Sequence, residues 1–358
     1  MNCRLCGSQE LELAVKVNPM PIVDGFTKKA NSLALHKCDV YFCLECDHAQ
    51  LVDVIPPELM FKDYLFRTSD SPQLVDHFKH YARWLVDHFD TSSVVEIGCN
   101  DGTLLKLMPH RKIGVDPSNV ECSEEKIDDF LTSDVCKEIV KYQGRATLVI
   151  ANHVFAHTND LVGMLENIKS LMTSRGKFVF EVAYAHDMLD KCLFDQIEHE
   201  HLSYHSIKPL VKFFNKNGME LSQVFRNSCK GGSIRCVAEF IDSGHVPNFM
   251  EDCSLERYRE FSGQIKEKRE RLSEHKSLIG YGAAAPCTSV MYQLDLQDRI
   301  KFLVDDNPRR HGLFSPHKNI PVVSSEALNH TNSKVVILAP RYEGEIKQRH
   351  PGREFITP

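Results

Sequence analysis

The sequence predicts an α/β protein of three successive parts, and three observations carry that prediction. Two Cys-x-x-Cys pairs stand near the start, Cys3 with Cys6 and Cys43 with Cys46. From Ser93 onward, short apolar runs alternate with segments of helical periodicity, the pattern of a parallel sheet covered by helices. Beyond residue 250 a charged helical segment leads into another strand, glycine turn and helix, so the α/β pattern restarts in a smaller unit. The expected boundaries are 1–66, 67–252 and 253–358.

The 358 residues are 42% hydrophobic and 26% charged, a composition that allows a sizeable packed core. A net charge of -6 with no concentrated basic face argues against binding a phosphate backbone, so no nucleic-acid partner is expected. No apolar run approaches the roughly 18 residues that span a bilayer, and "MNCRLCGSQELEL" lacks a signal pattern. The expectation is a cytoplasmic protein without membrane contact, working on a small molecule as a monomer or small homo-oligomer.

Thirteen cysteines in a long intracellular chain mean metal ligands and buried thiols rather than a disulfide scaffold. Each Cys-x-x-Cys turn aims two thiolates at one point, and two such turns complete the closed tetrahedral set of a structural Zn2+ site. Gly7 supplies the tight backbone that such a knuckle needs. Cys38 lies nearby but has no partner at the right offset.

Residues 54 to 90 read as helix, with Leu74, Phe78, Tyr81, Leu85 and Phe89 at helical spacing. An apolar strand from Val94 to Ile97 then meets a Gly98-x-x-x-Gly102 turn, with a helix expected from Thr103. A second strand, "KIGVDPS", ends at Asp116. The G-x-G-x-x-G pattern of dinucleotide folds is absent, and Glu96 would add negative charge where a pyrophosphate must sit. A cationic cofactor such as S-adenosylmethionine suits Glu96 better, with Asp116 placed to accept from two ribose hydroxyls.

"VVEIGCNDG" and "GVDPS" together resemble the first two motifs of class I S-adenosylmethionine-dependent methyltransferases with a Rossmann-like core. With the cysteine domain before and "GYGAAAP" after, the whole chain resembles the zinc-containing sugar C-methyltransferases, which act on nucleotide-linked 4-keto-deoxysugars. The matches run in order through "CLECDHAQL", "YLFRTSDS", "EIGCNDGTLL", "ANHVFAHTND", "FDQIEHEHLSYHS", "KGGSIR" and "YGAAAP". The resemblance implies cofactor contacts at Glu96, Gly98, Asn100, Gly102, Asp116 and Asn152. It also implies a sugar pocket floored by "IEHEHLSYHS", with His201 removing the proton at carbon 3, Glu200 orienting it or holding a hydroxyl, and His157 and Tyr64 nearby.

That chemistry suits the residues. A proton beside a ketone is acidic enough for an imidazole base, and the resulting enolate is a carbon nucleophile whose oxygen needs donors such as His157. O- or N-methylation of a related nucleotide sugar is the runner-up, and needs no enolate. Three positions depart from the pattern: Glu198 replaces a tyrosine, Pro286 replaces a lysine expected to meet the diphosphate, and "APRYEGEI" replaces an aromatic-asparagine pair. His186, His199 and His205 read as solvated or capping residues. Were the segment a strand, His199 and His201 would share a face that Glu200 does not. Ser233 or Arg235 of "KGGSIR" is a candidate phosphate contact, and Asp305 and Asp306 end a strand of the last unit.

Overall fold

The computed structural model describes residues 1–62, 64, 66–242 and 247–358. Three short antiparallel strands, β1 (Leu11–Val15), β2 (Val40–Cys43) and β3 (Ala49–Leu51), carry the cysteine pairs in their flanking turns. Helix α1 (Pro57–Phe61) is short. Helix α2 (Pro72–His88) begins where the Ser71 hydroxyl accepts from the Leu74 amide at 3.3 Å and Pro72 pre-sets the first turn. Its apolar stripe, Leu74, Phe78, Tyr81 and Leu85, is buried against the central sheet.

That sheet is built from β4 (Ser93–Ile97), β5 (Arg111–Val115), β6 (Lys126–Ile127), β7 (Ala146–Asn152), β8 (Met172–Ala183), and, after a two-residue β9 (Ser203–Tyr204), from β10 (Met219–Asn227) and β11 (Ser233–Phe240). Helices α3 (Ser133–Gln143), α4 (Leu161–Leu171), α5 (Ala185–Asp190) and α6 (Ile207–Lys216) connect them. The strand order is β10-β11-β8-β7-β4-β5-β6, with β11 antiparallel to both neighbours and the other pairings parallel. This is the order of a class I methyltransferase core, with β4 inside the sheet between β7 and β5 and its C-terminal end opening on the glycine turn. The helix expected from Thr103 does not form. A turn and a single 3-10 stretch, Leu105–Leu107, replace it, because Pro109 follows Met108 closely and forbids helical continuation.

Helix α7 (Leu255–Leu272) leads to a five-stranded parallel sheet ordered β14-β13-β12-β15-β16, made of β12 (Leu278–Tyr281), β13 (Ile300–Asp305), β14 (Val322–Ser324), β15 (Val335–Ile337) and β16 (Phe355–Ile356), with α8 (Ala285–Gln293) and α9 (Glu343–Arg349) beside it. The charged face of α7 is solvated, while Tyr258, Phe261, Ile265 and Leu272 are buried.

The cores do not follow the chain order. One cluster joins Val15 and Val40 of the first sheet, Met188 and Phe194 of the middle segment, and Phe261 and Val290 of the C-terminal unit. The two-residue β9 is likewise an outpost: it pairs with β3, Ala49 opposite Tyr204, so the segment after His201 is an edge of the cysteine-bearing sheet. Among the described residues, no helix is long and apolar enough to cross a membrane.

Candidate active site

The four predicted cysteines converge. Their sulfurs all lie within 4.8 Å of one another, with Cys3 Sγ 3.5 Å from Cys46 Sγ and Cys6 Sγ 3.6 Å from Cys43 Sγ, and none is in a disulfide. Tetrahedral coordination with Zn–S near 2.3 Å requires sulfurs about 3.8 Å apart, so the set fits zinc with little adjustment. Gly7, at φ 84°, turns the chain back so that the Ser8 amide points at Cys6 Sγ at 3.5 Å. Cys38 is buried in the neighbouring apolar core and takes no part.

At the C-terminal end of β4 lies a cleft of about 350 Å³ lined by Glu96, Gly98, Asn100, Asp116, Asn152 and His157 among others. Among the described residues, buried Glu96 Oε2 and both side-chain amide atoms of Asn152 make no hydrogen bond of normal geometry, and burial pushes the Glu96 carboxyl well above the usual range. These orphaned groups fit the cationic end of S-adenosylmethionine. Gly98 has φ 70°, and a Cβ there would lie 2.2 Å from Val154 Cγ2, so the turn admits only glycine. Gly102, φ 77°, closes it against Cys122.

Two predicted cofactor residues hold the turn as well as facing the cleft. Asp116 accepts from the Asn100 amide at 2.9 Å and from the Ser118 amide at 2.9 Å, while Asn100 accepts from the Thr68 amide at 3.0 Å and donates to the Phe66 carbonyl at 3.1 Å. The second pair ties the aromatic segment over the cleft to the glycine turn. Asp116→Ala is therefore expected to weaken S-adenosylmethionine binding by roughly 1.5 to 3 kcal/mol, the worth of hydrogen bonds to a charged group. Calorimetry on the folded variant checks this, and equal affinity would remove Asp116 from the site.

Beyond the cleft mouth, residues 197 to 202 form a turn rather than a strand. The shared face expected of His199 and His201 is therefore absent. His199 turns away toward the His36 carbonyl at 3.5 Å, whereas Glu200 and His201 face the cleft residues Tyr64 and His157. His205, expected to be solvated or capping, is fully buried and stacks on His48 with ring centroids 5.5 Å apart.

His201 Nδ1 lies 2.7 Å from the Gln196 carbonyl, which can only accept, so Nδ1 carries the proton and Nε2 keeps its lone pair. Burial pulls this imidazole down to about 4, so it is neutral at physiological pH. Its ring centre is 5.2 Å from that of His157, which burial and then His201 hold well below the usual histidine range and whose buried Nε2 has no partner among the described residues. Tyr64 donates to Glu200 Oε2 at 3.1 Å. Burial, with Asp24 adding to it, pushes the Glu200 carboxyl up to about 7.

Glu198, the departure from tyrosine, lies with Oε1 3.5 Å from His201 Nδ1 and is driven well above the carboxylate range by burial and by Glu200. The Arg341 guanidinium works in the opposite direction on Glu198 and pairs with buried Asp195 at 2.8 Å, outside hydrogen-bond geometry. Sequence reasoning missed Arg341 because its partners lie about 145 positions away. Pro286 sits in the first turn of α8. Asp305 and Asp306 serve turns and neighbours: Asp305 accepts from the Ala283 amide at 2.7 Å, and Asp306 from Tyr281 at 2.9 Å.

Neither Ser233 nor Arg235 reaches the cleft. Ser233 donates to the Cys229 carbonyl at 2.9 Å, and Arg235 pairs with buried Glu181 at 2.6 Å, under the Tyr81 ring. The cleft residue of that motif is Lys230, signalled by a lysine standing before two glycines. His77, Glu181 and Cys229 also lie within 4.8 Å of one another. Burial pulls His77 down, but Cys229 and Glu181 outweigh it and hold the imidazole near 10. Since Arg235 and Asn227 already occupy Glu181, an added cation would face a guanidinium, and the cluster reads as an ion-pair brace.

Three family models align with consecutive stretches: a zinc binding domain over residues 3–61, a methyltransferase domain over 70–224 and a C-methyltransferase C-terminal domain over 228–358. The C-methyltransferase NovU of Streptomyces niveus is 29% identical, aligned over 99% of this chain and 94% of its own. Among solved structures, magnesium protoporphyrin IX methyltransferase from Synechocystis PCC 6803 is 18% identical over 46% of this chain and 82% of that one, with a TM-score of 0.34. A methyltransferase from Anabaena variabilis is 14% identical over 49% and 86%, with a TM-score of 0.36.

Proposed function

We propose that this chain, which matches zinc-binding, methyltransferase and C-methyltransferase C-terminal family models in succession, methylates carbon 3 of a nucleotide-linked 4-keto-deoxysugar through an enolate. The observation that carries this reading is the tautomer of His201. With Nδ1–H spent on the Gln196 carbonyl, Nε2 is an unprotonated base beside His157 and next to the cofactor cleft. O-methylation of a hydroxyl has less use for this arrangement, since it needs no stabilised carbanion.

When bound, S-adenosylmethionine supplies an electrophilic methyl group. Glu96 and Asn152 would hold its cationic end, Asp116 its ribose, and the Gly98 turn its closest backbone approach. His201 Nε2 takes the proton from carbon 3, and the electron pair moves onto the carbonyl oxygen at carbon 4. The His157 Nε2 position, unpartnered among the described residues, faces that developing charge as a neutral donor. Tyr64 and Glu200 form the polar wall that orients the sugar. Zinc has no step in this chemistry; its four ligands leave no open position.

Incubation with labelled S-adenosylmethionine and a panel of nucleotide 4-ketosugars tests the reading, with the new methyl located by NMR. A label found only on oxygen would replace carbon methylation by the runner-up.

The pH dependence separates the two candidate bases. Proton exchange at carbon 3, followed as kcat/KM, reports groups of the free enzyme. With His201 held at about 4, the rate is expected to rise through that pH, as the imidazole loses its proton, and to be level across neutrality. A rise centred near 7 would assign the proton to Glu200.

A further inference from the structure

We propose that Lys230 is a catalytic residue, its ammonium group receiving the negative charge that forms on the acceptor's carbonyl oxygen when the neighbouring carbon is deprotonated; this rests on the enolate reading above. The geometry begins in the backbone. Lys230 has φ 50° and ψ 33°, the left-handed region that residues with a Cβ rarely adopt. Three donors fix it there: Gln196 Nε2 and Arg341 Nη1 reach the Lys230 carbonyl at 3.1 and 3.2 Å, and Lys191 Nζ reaches the Gly231 carbonyl at 2.6 Å. A Cβ on Gly231 would meet Leu193 at 2.8 Å, and one on Gly232 would meet Asp187 at 2.4 Å. The turn is thus over-determined, as expected where a side chain must be aimed.

It is aimed at the cleft. Lys230 lines the cavity, with Nζ 5.5 Å from the centre of the Phe66 ring. Its side chain is exposed to solvent at the cleft, and desolvation by the neighbouring protein lowers its affinity for the proton. Its field is felt by His153, His157 and His201, each held neutral in part by this cation, and by Glu198 and Glu200. Among the described residues, no acceptor lies within hydrogen-bonding distance of Nζ. A cation without a hydrogen-bonded partner, set among neutral imidazoles at the cleft, is prepared for an anion that exists only during the reaction. The step balances within the site. The carbon–hydrogen bond breaks, the proton goes to His201 Nε2, and the electron pair becomes an enolate whose oxygen faces Lys230.

The test is exchange of the carbon 3 proton in deuterated water without S-adenosylmethionine, on the full zinc-loaded protein with the ketosugar panel. For Lys230→Met, kcat for exchange is expected to fall by about 10² to 10³, as for loss of an oxyanion donor, with KM for the sugar and affinity for S-adenosylmethionine little changed. Lys230→Arg should retain an intermediate rate, and Lys230→Ala should recover part of its activity with added ethylamine but not with sodium chloride. Exchange in Lys230→Met within a few-fold of the wild type overturns the lysine's role alone. So does a raised KM at unchanged kcat, which would make Lys230 a phosphate contact. A wild type that exchanges with no member of the panel overturns the enolate reading and this role with it.

Discussion

Replacing His201 with asparagine is expected to lower turnover by about 10² to 10⁴, the usual contribution of a general base, while affinity for S-adenosylmethionine stays nearly unchanged. Asparagine preserves a donor toward the Gln196 carbonyl, 2.7 Å from Nδ1 in the parent, so the turn at residues 197 to 202 keeps its anchor. What is lost is the lone pair at Nε2. In deuterated water without cofactor, the wild type should exchange the carbon 3 proton of its ketosugar and the variant should not. Exchange that survives in His201→Asn but disappears in His157→Asn or Glu200→Gln would move the base to that residue.

Removing zinc is expected to have the largest effect on stability. Apparent binding free energies of roughly 10 to 16 kcal/mol are typical of structural zinc in small peptides, and such binding energy is folding energy. Here the metal would join the two turns flanking the first sheet, whose strands are only two to five residues long. Strands this short have little independent stability. Elemental analysis should give one zinc per chain, and Cys43→Ser or chelation should raise amide exchange across residues 1 to 51 before the β4 and β5 region responds. Because β3 pairs with β9, residues 203 and 204 should lose protection in the same step, and methyl transfer should fail while the central sheet is still folded. Uniform loss of protection across both sheets would contradict this order.

What could be read in the sequence was what short-range patterns carry. The cysteine pairs announce their convergence through spacing alone. Gly98 and Asp116 follow from the strand-turn-helix logic of an open sheet, whose strand ends are adjacent by construction. The segment from Thr103 misled because its apolar content fits a helix while Pro109 cuts the helix short. His199 and His201 were assigned to one face by the rule for strands, and the rule does not hold in a turn. Arg341 was out of reach, and of Lys230 only the lysine before two glycines was visible, for a different reason: their placement arises from contacts between segments more than 30 and 100 positions apart, Gln196 with Lys230 and Lys230 with Arg341. No periodicity records such pairings.

The apolar cluster that unites Val15, Val40, Phe261 and Val290 makes the two ends of the chain one mechanical piece, with the methyltransferase sheet inserted between them. Exchange of parts between relatives is constrained accordingly. A chimera that imports only a foreign C-terminal unit would set mismatched side chains against Val15 and Val40. The workable graft moves the first and last segments together with residues 185 to 204, which pack on them, and leaves the middle sheet in place. Acceptor preference, if it resides in those segments, would travel as distant sequence blocks rather than as one contiguous module.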